Sequence, residues 1–333
     1  MNILSDHNIA NSLRINSKCR YFIEINEISE FKKLYDFINE QKKPIFILGE
    51  GTNIVPNDYY DGIVIKPRFN HIKYDKSKCI VSVGSSVNWH NFVEEMVENN
   101  IYGFENLSLI PGSVGASPIQ NIGAYGQDVS ELISKIDCYD YKKNKLISLS
   151  NSDCNFSYRN SSLRDKPYII YNIDFHTNRP KLLNLKYESL QNYIKKNNLN
   201  ASKLSLRDTS KIIINIRNSI LPDPNSIPNA GSFFKNPTIR EENINTNQFS
   251  LDELIIWNRN SNNVKVGAAR LIQLIKDDLN NHNNVSIYSE HALILISNGK
   301  ASQKDILNFA NNIREVVMKT FNISLDIEPT VIN

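Results

Sequence analysis

Glycine is scarce in this chain and unevenly placed. There are 12 glycines in 333 residues, about half the usual ~7%. Six stand in two short stretches: Gly49 and Gly51 in ILGEGTNIV, and Gly112, Gly115, Gly123 and Gly126 in IPGSVGASPIQNIGAYG. In a sequence rich in Asn, Ile and Lys, glycine kept there marks backbone that must stay permissive. Residues 110–126 also carry no charged side chain. Clustered main-chain N–H groups bind an anion without any lysine. Gln120 and Asn121 add amides, and Tyr125 adds a ring and a hydroxyl for a planar heteroaromatic ligand. Neither stretch is a G-x-G-x-x-G opening a helix, so the Rossmann fingerprint is absent. On pattern alone, two glycine-bearing turns in an α+β fold remain the alternative.

Charge and cysteine usage exclude several classes. Lys and Arg (38) nearly balance Asp and Glu (35), and the basic residues are dispersed; nucleic acid is therefore not an expected partner. The first residues lack a basic, then apolar, leader pattern, and runs such as IFIL and ALILI are far short of the ~20 residues that cross a bilayer. A cytoplasmic protein is expected. Cys19, Cys79, Cys138 and Cys154 form no C-x-x-C, and the six histidines form no H-E-x-x-H, so neither a disulfide nor a metal is expected.

Hydrophobic spacing predicts alternating elements. Ile28, Phe31, Leu34, Tyr35 and Ile38 fit one face of a helix, as do Trp89, Phe92, Val93, Met96 and Val97. PIFILG, GIVIKP, CIVSVG, KIDCYDY, KLISLS and YIIYNIDF read as strands. Residues 186–198 suit a helix. Three prolines followed by Asn-Ala-Gly make 221–237 a loop. ALILIS then reads as a strand, and Ile306 to Phe321 as a helix.

Three side chains invite chemistry. Arg159, beside an aromatic in SYRNSSLRD, suits bidentate recognition of a carboxylate or phosphate, although for a lone arginine a surface position in a turn is the favoured reading. Ser232, followed by two phenylalanines, could give a proton to a carbanion from an apolar setting, or simply cap a turn. No G-x-S-x-G surrounds it, which argues against a hydrolytic nucleophile. Glu328 precedes a proline in LDIEP and on its own reads as a solvated carboxylate.

Taken in order, GEGTN, IPGSVGASPIQNIGAYGQDV, YRNS, LPDP, NAGSFFKNP and LDIEP resemble the UDP-N-acetylenolpyruvoylglucosamine reductase family from about Asn11 to Glu328. The resemblance implies an α+β, vanillyl-alcohol-oxidase-type FAD-binding fold of two subdomains and a third, substrate-binding domain. The boundaries expected are 1–66 completed by 319–333, then 67–206, then 207–318. It implies FAD held by Gly49, Glu50, Gly51, Thr52 and Asn53, and by Ile110, Pro111, Gly112, Gly115, Ser117, Ile119, Gln120, Asn121, Ile122 and Gly123. NADPH would be the reductant. A nucleotide sugar, UDP-N-acetylglucosamine enolpyruvate, would be reduced to UDP-N-acetylmuramate for peptidoglycan. Ser232 matches the family's proton donor, and Arg159 and Glu328 the pair that stabilises the enediolate. Tyr125, Lys235, Asn236 and His291 would contact substrate. LKYESL resembles the tyrosine-bearing segment of one class, which gives Tyr187 the diphosphate. A monomer is expected.

Some positions depart from the family. Ile220 replaces a lysine before LPDP, leaving Arg217 to compensate, and Asn283-Asn284 replace a glycine-rich loop. KVGAARLIQ and NSLRI match loosely. These losses suit the alternative of a catalytically impaired flavin- or nucleotide-binding descendant.

Overall fold

The computed structural model describes residues 1–259 and 262–333. The chain packs as two compact units: residues 1–7, 19–50 and 61–219 form the first, and residues 8–18, 51–60 and 220–333 the second.

The first unit has two hydrophobic cores. In one, α1 (Phe31–Gln41) lays Phe31 and Leu34 against Ile23, Ile25, Ile63 and Ile65 of a four-stranded sheet. Its strands run in the order Asn2–Asn8, Lys18–Ile25, Tyr59–Pro67, Ile45–Ile47, the last two being parallel. In the other, α2 (Trp89–Glu98) buries its whole expected stripe together with Phe104 and Phe175. The sheet beneath α2 orders Lys145–Ser150, Ile133–Asp140, Tyr168–His176, Ile80–Gly84 and Ile72–Asp75, with antiparallel pairing throughout. All six strands expected from the first 176 residues are present. The helix expected at 186–198 is shorter, α3 (Glu188–Lys196).

Two elements depart from the sequence expectation. Helix α4 (Leu206–Ile220), which the spacing does not announce, buries Leu206, Thr209, Ile212, Ile213 and Ile216. Its start is readable in Ser205-x-x-Asp208, whose side chains each accept the other's backbone N–H. The supposed loop 221–237 contains a strand, Asn229–Ser232, paired with His291–Ser297. Asn229 lies opposite Ile296 and Ser232 opposite Ile294, so three steps on one strand meet two on the other. Gly231, at φ +70°, absorbs the extra residue as a bulge.

That strand belongs to the second unit. Its core gathers Phe233, Phe234, Leu271 and Ile272 of α5 (Ala268–Leu274), and Phe309, Ile313 and Val317 of α6 (Gln303–Phe321). Thr330–Ile332 runs parallel to Ile54–Pro56. Gly51 sits just before Ile54 at φ +69°, and a Cβ there would lie 2.1 Å from the Ala10 carbonyl oxygen. Both the dihedral and the backbone contact oppose a side chain. Gly51→Ala is expected to cost about 3 kcal/mol. A urea midpoint within about 0.2 M of the parent's would refute this.

Candidate active site

In the first unit, residues 112–115 are clipped along 85–89. Gly115 N–H donates to Ser85 O at 2.8 Å, Val114 N–H to Val87 O at 2.9 Å, and Trp89 N–H to Gly112 O at 3.0 Å. A Cβ on Gly115 would come 2.5 Å from the Ser85 Cβ, and one on Gly49 would come 3.1 Å from Ser113 Oγ and 3.3 Å from Ala116 Cβ. The two glycine stretches therefore meet. The glycines were expected to let backbone approach a ligand, but here they admit neighbouring chain, because a side chain would collide with protein. The ligand-facing chemistry lies beside them. Ser85 Oγ is buried without a protein hydrogen-bond partner, and Gln120 and Asn121 are buried polar side chains. The unpartnered Ser85 hydroxyl fits a dinucleotide such as FAD, which brings its own donors and acceptors.

Asn121 takes the left-handed conformation, φ 44°, and ties this loop to the next. Its amide donates to Ser157 O at 3.1 Å, and its Oδ1 accepts from Ser130 N–H at 3.1 Å. Ser157 begins the tight turn that carries Arg159, itself at φ 50°. The guanidinium reaches back, donating to Asn121 O at 3.3 Å and to Gly123 O, and lies 3.4 Å from Asp128 Oδ1. Its Cζ stacks 5.1 Å from the Tyr158 ring centroid. A Cβ on Gly123 would overlap Asp128 Oδ1 at 1.8 Å. Arg159 is thus no loose surface arginine: two backbone carbonyls and Asp128 hold its guanidinium in place.

Three of the residues expected to contact substrate also come together in this unit. The rings of Tyr125 and Tyr187 pack edge to face with centroids 5.4 Å apart, and Arg217 bonds the Tyr125 hydroxyl. Tyr187 is exposed at the N-terminus of α3, Tyr125 is buried, and Arg217 lies in the last turn of α4. Burial raises the Tyr125 pKa, the neighbouring Tyr187 adds to this, and Arg217 opposes it. Arg217 Nε is enclosed and lacks a hydrogen-bond partner, an unusual arrangement for a group that burial alone disfavours. Close by, burial lowers the His90 pKa. Its Nδ1 accepts from Leu109 N–H at 3.0 Å, which needs a ring nitrogen without a proton. Sequence reasoning missed Asn106, whose amide donates to both Tyr125 O (2.8 Å) and Asn184 O (2.9 Å) and so links the Tyr125 and Tyr187 segments. Nothing in its local sequence announces that contact.

In the second unit, Phe233 and Phe234 are buried and hold the strand that ends at half-exposed Ser232. Glu328 N–H donates to Phe233 O and Lys235 N–H to Asp326 O, both at 2.9 Å. The segments 232–235 and 326–328 are thereby zipped side by side, which brings Ser232 and Glu328 into one strip. Asn236 Oδ1 accepts from Ala268 N–H at 3.0 Å at the start of α5. His291 opens its strand with Nδ1 accepting from Leu293 N–H at 3.3 Å, and burial lowers its pKa. Thr52 and Asn53 lead from Gly51 into the strand Ile54–Pro56. Among the described residues no group of three or more His, Cys, Asp or Glu is placed to hold a metal.

Comparison with known proteins decides the lineage. Residues 19–142 match a model described as an FAD binding domain, and residues 223–332 one described as the C-terminal domain of UDP-N-acetylenolpyruvoylglucosamine reductase. The reductase of that name from Flavobacterium johnsoniae is 32% identical over 97% of this chain and 96% of its own length. That of Porphyromonas gingivalis is 33% identical over 98% of both. This chain belongs to the UDP-N-acetylenolpyruvoylglucosamine reductase family. The crystal structure of the reductase from Thermus caldophilus aligns with all of this chain and 98% of its own at a TM-score of 0.64, with 19% identity; it shares the fold. The fold class is therefore the expected α+β FAD-binding one.

Family membership puts the departures in context. Ile220 is half-buried and is the last residue of α4. At Asn283-Asn284, side chains make the connecting contacts. Asn298 donates to Asn284 Oδ1 at 3.1 Å and to Asn283 O at 3.5 Å, while Asn284 donates to Asp305 Oδ2 at 3.4 Å. Asp305 also completes the capping box of α6. An asparagine network therefore closes this reductase's hairpin.

Proposed function

We propose that this chain is an FAD-dependent, NADPH-driven reductase that converts UDP-N-acetylglucosamine enolpyruvate to UDP-N-acetylmuramate for peptidoglycan synthesis. The observation that carries the residue assignments is the locking of the Arg159 guanidinium onto Asn121 O and Gly123 O of the proposed flavin loop. Residues 49–53 and 110–123 would hold FAD, whose chemistry would be to pass hydride from NADPH to the enolpyruvyl group. Ser232 donates the proton to the adjacent carbon; the carbanion it meets is basic enough for a hydroxyl to serve. Arg159 and Glu328 stabilise the carboxylate on which charge develops, help that is often worth roughly 3 kcal/mol per preorganised donor. Tyr125, Tyr187 and Arg217 take the diphosphate, with Lys235, Asn236 and His291 as further substrate contacts. We read the chain as residues 1–66 completed by 319–333, then 67–206, then the substrate domain 207–318.

Among the described residues no helix is long and apolar enough to cross a membrane. We place the enzyme in the cytoplasm, as a monomer without a nucleic-acid partner.

The defining test follows absorbance at 340 nm with FAD-loaded protein and NADPH. Rapid NADPH loss that begins on adding the enolpyruvyl sugar nucleotide is expected. Flavin that NADPH bleaches and the substrate fails to recolour would favour the impaired descendant suggested by Ile220. Tyr125→Phe removes the phenol oxygen that partners Arg217. It should raise the substrate KM about tenfold, matching a lost charged hydrogen bond of ~1.5 kcal/mol, with FAD affinity unchanged. An unaltered KM would remove this pair from the substrate site.

A further inference from the structure

The stretch Gly49-Glu50-Gly51 places a carboxylate inside a loop proposed to hold a dinucleotide diphosphate. Like charges at such range oppose binding, so main-chain N–H groups alone make a poor cradle here. Lys66 changes that balance. It sits near the end of the strand Tyr59–Pro67, beside the parallel strand Ile45–Ile47 whose exit leads into the loop, and Leu48 N–H donates to Ile65 O at 2.9 Å. Its ammonium is 3.4 Å from Glu50 Oε1 and 3.5 Å from Oε2, a loose bidentate approach. The lysine side chain is 10% exposed against 38% for the glutamate. Gly49 abuts Ser113 and Ala116, so the pair lies where the two proposed flavin loops meet. An ammonium carries three donors, and one carboxylate at these distances does not saturate them.

We infer that Lys66 is the cation that lets this loop take a dinucleotide diphosphate, neutralising Glu50 in the empty protein and serving the diphosphate when it is bound. The cation comes from a neighbouring strand and not from the glycine-bearing stretch itself. This inference rests on the proposal that residues 49–53 hold FAD.

The test is the FAD dissociation constant of the full-length apoprotein, read by flavin fluorescence quenching at low and high salt. Lys66→Met should weaken FAD about tenfold at low salt, as expected for an exposed like charge near the ligand, with the loss shrinking as salt screens it. Glu50→Gln should act in the opposite direction and tighten FAD about threefold, and the double variant should lie between the two, about threefold weaker than the parent. Glu50 is exposed, so its variant keeps the test alive even where Lys66→Met folds poorly. An unchanged constant in Lys66→Met, or weaker binding in Glu50→Gln, overturns the inference. Gly49→Val separates the two levels, since its side chain would collide with Ser113. If that variant also binds FAD normally, the loop assignment itself fails. If only Gly49→Val weakens binding, the loop stands and Lys66 is not its cation.

Discussion

Ser232→Ala protein loaded with FAD will bleach with NADPH at close to the parent rate, and its colour will fail to return when the enolpyruvyl sugar nucleotide is added. General acids contribute about 10²–10⁴-fold, so reoxidation should slow about 10³-fold. The substitution is gentle on structure. Ser232 ends a short strand opposite Ile294, and its anchors are buried Phe233 and Phe234 rather than its own side chain. A thermal midpoint near the parent's is therefore expected, so a kinetic defect would report chemistry and not unfolding. Ser232→Cys, which keeps a transferable proton, should recover part of the rate. Parent-like reoxidation in Ser232→Ala would take the proton donor away from this position.

The second large effect is expected at Arg159. Lysine keeps the charge and loses the fork. The guanidinium donates to two carbonyls, Asn121 O and Gly123 O, while lying 3.4 Å from Asp128 and over Tyr158. A single ammonium cannot hold that geometry and still present a donor to a substrate carboxylate. Arg159→Lys should slow reoxidation by about 10²–10³-fold, in the range seen for loss of one preorganised donor, and leave reduction by NADPH within a few-fold. If both half-reactions fell together, Arg159 would instead be supporting the flavin loop through its carbonyl contacts.

Local pattern carried most of the first unit because its cores are built from nearby segments. The stripe Trp89, Phe92, Val93, Met96 and Val97 is buried in full. The strand Asn229–Ser232 was hidden by its own composition, since Asn-Ala-Gly says turn and only the distant partner 291–297 makes it a strand. Helix α4 was legible through Ser205 and Asp208, but a polar stretch with Asn, Thr and Ser in it masked the stripe. Lys66 had a signal too: a lysine inside the otherwise apolar GIVIKP is a misfit, and misfits on a buried strand ask for a partner. The glycines of the two stretches also have a reason invisible in the sequence, since steric relief against Ser85, Ser113 and Asp128 cannot be seen before those neighbours are in place.

The parallel pairing of Thr330–Ile332 with Ile54–Pro56 also sets a clock on biogenesis. A nascent chain exposes the early strand long before its partner exists. Roughly 270 residues must be made in between, which at ~5–20 residues per second is a wait of about 15–55 s. Until then Val55 has no C-terminal strand beside it, and Gln303 cannot yet bridge Val55 O and Ile332 O, as it does at 2.9 and 2.8 Å in the folded chain. The Gly51–Asn53 segment, which leads directly into that strand, is thus finished only after Thr330–Ile332 has been made.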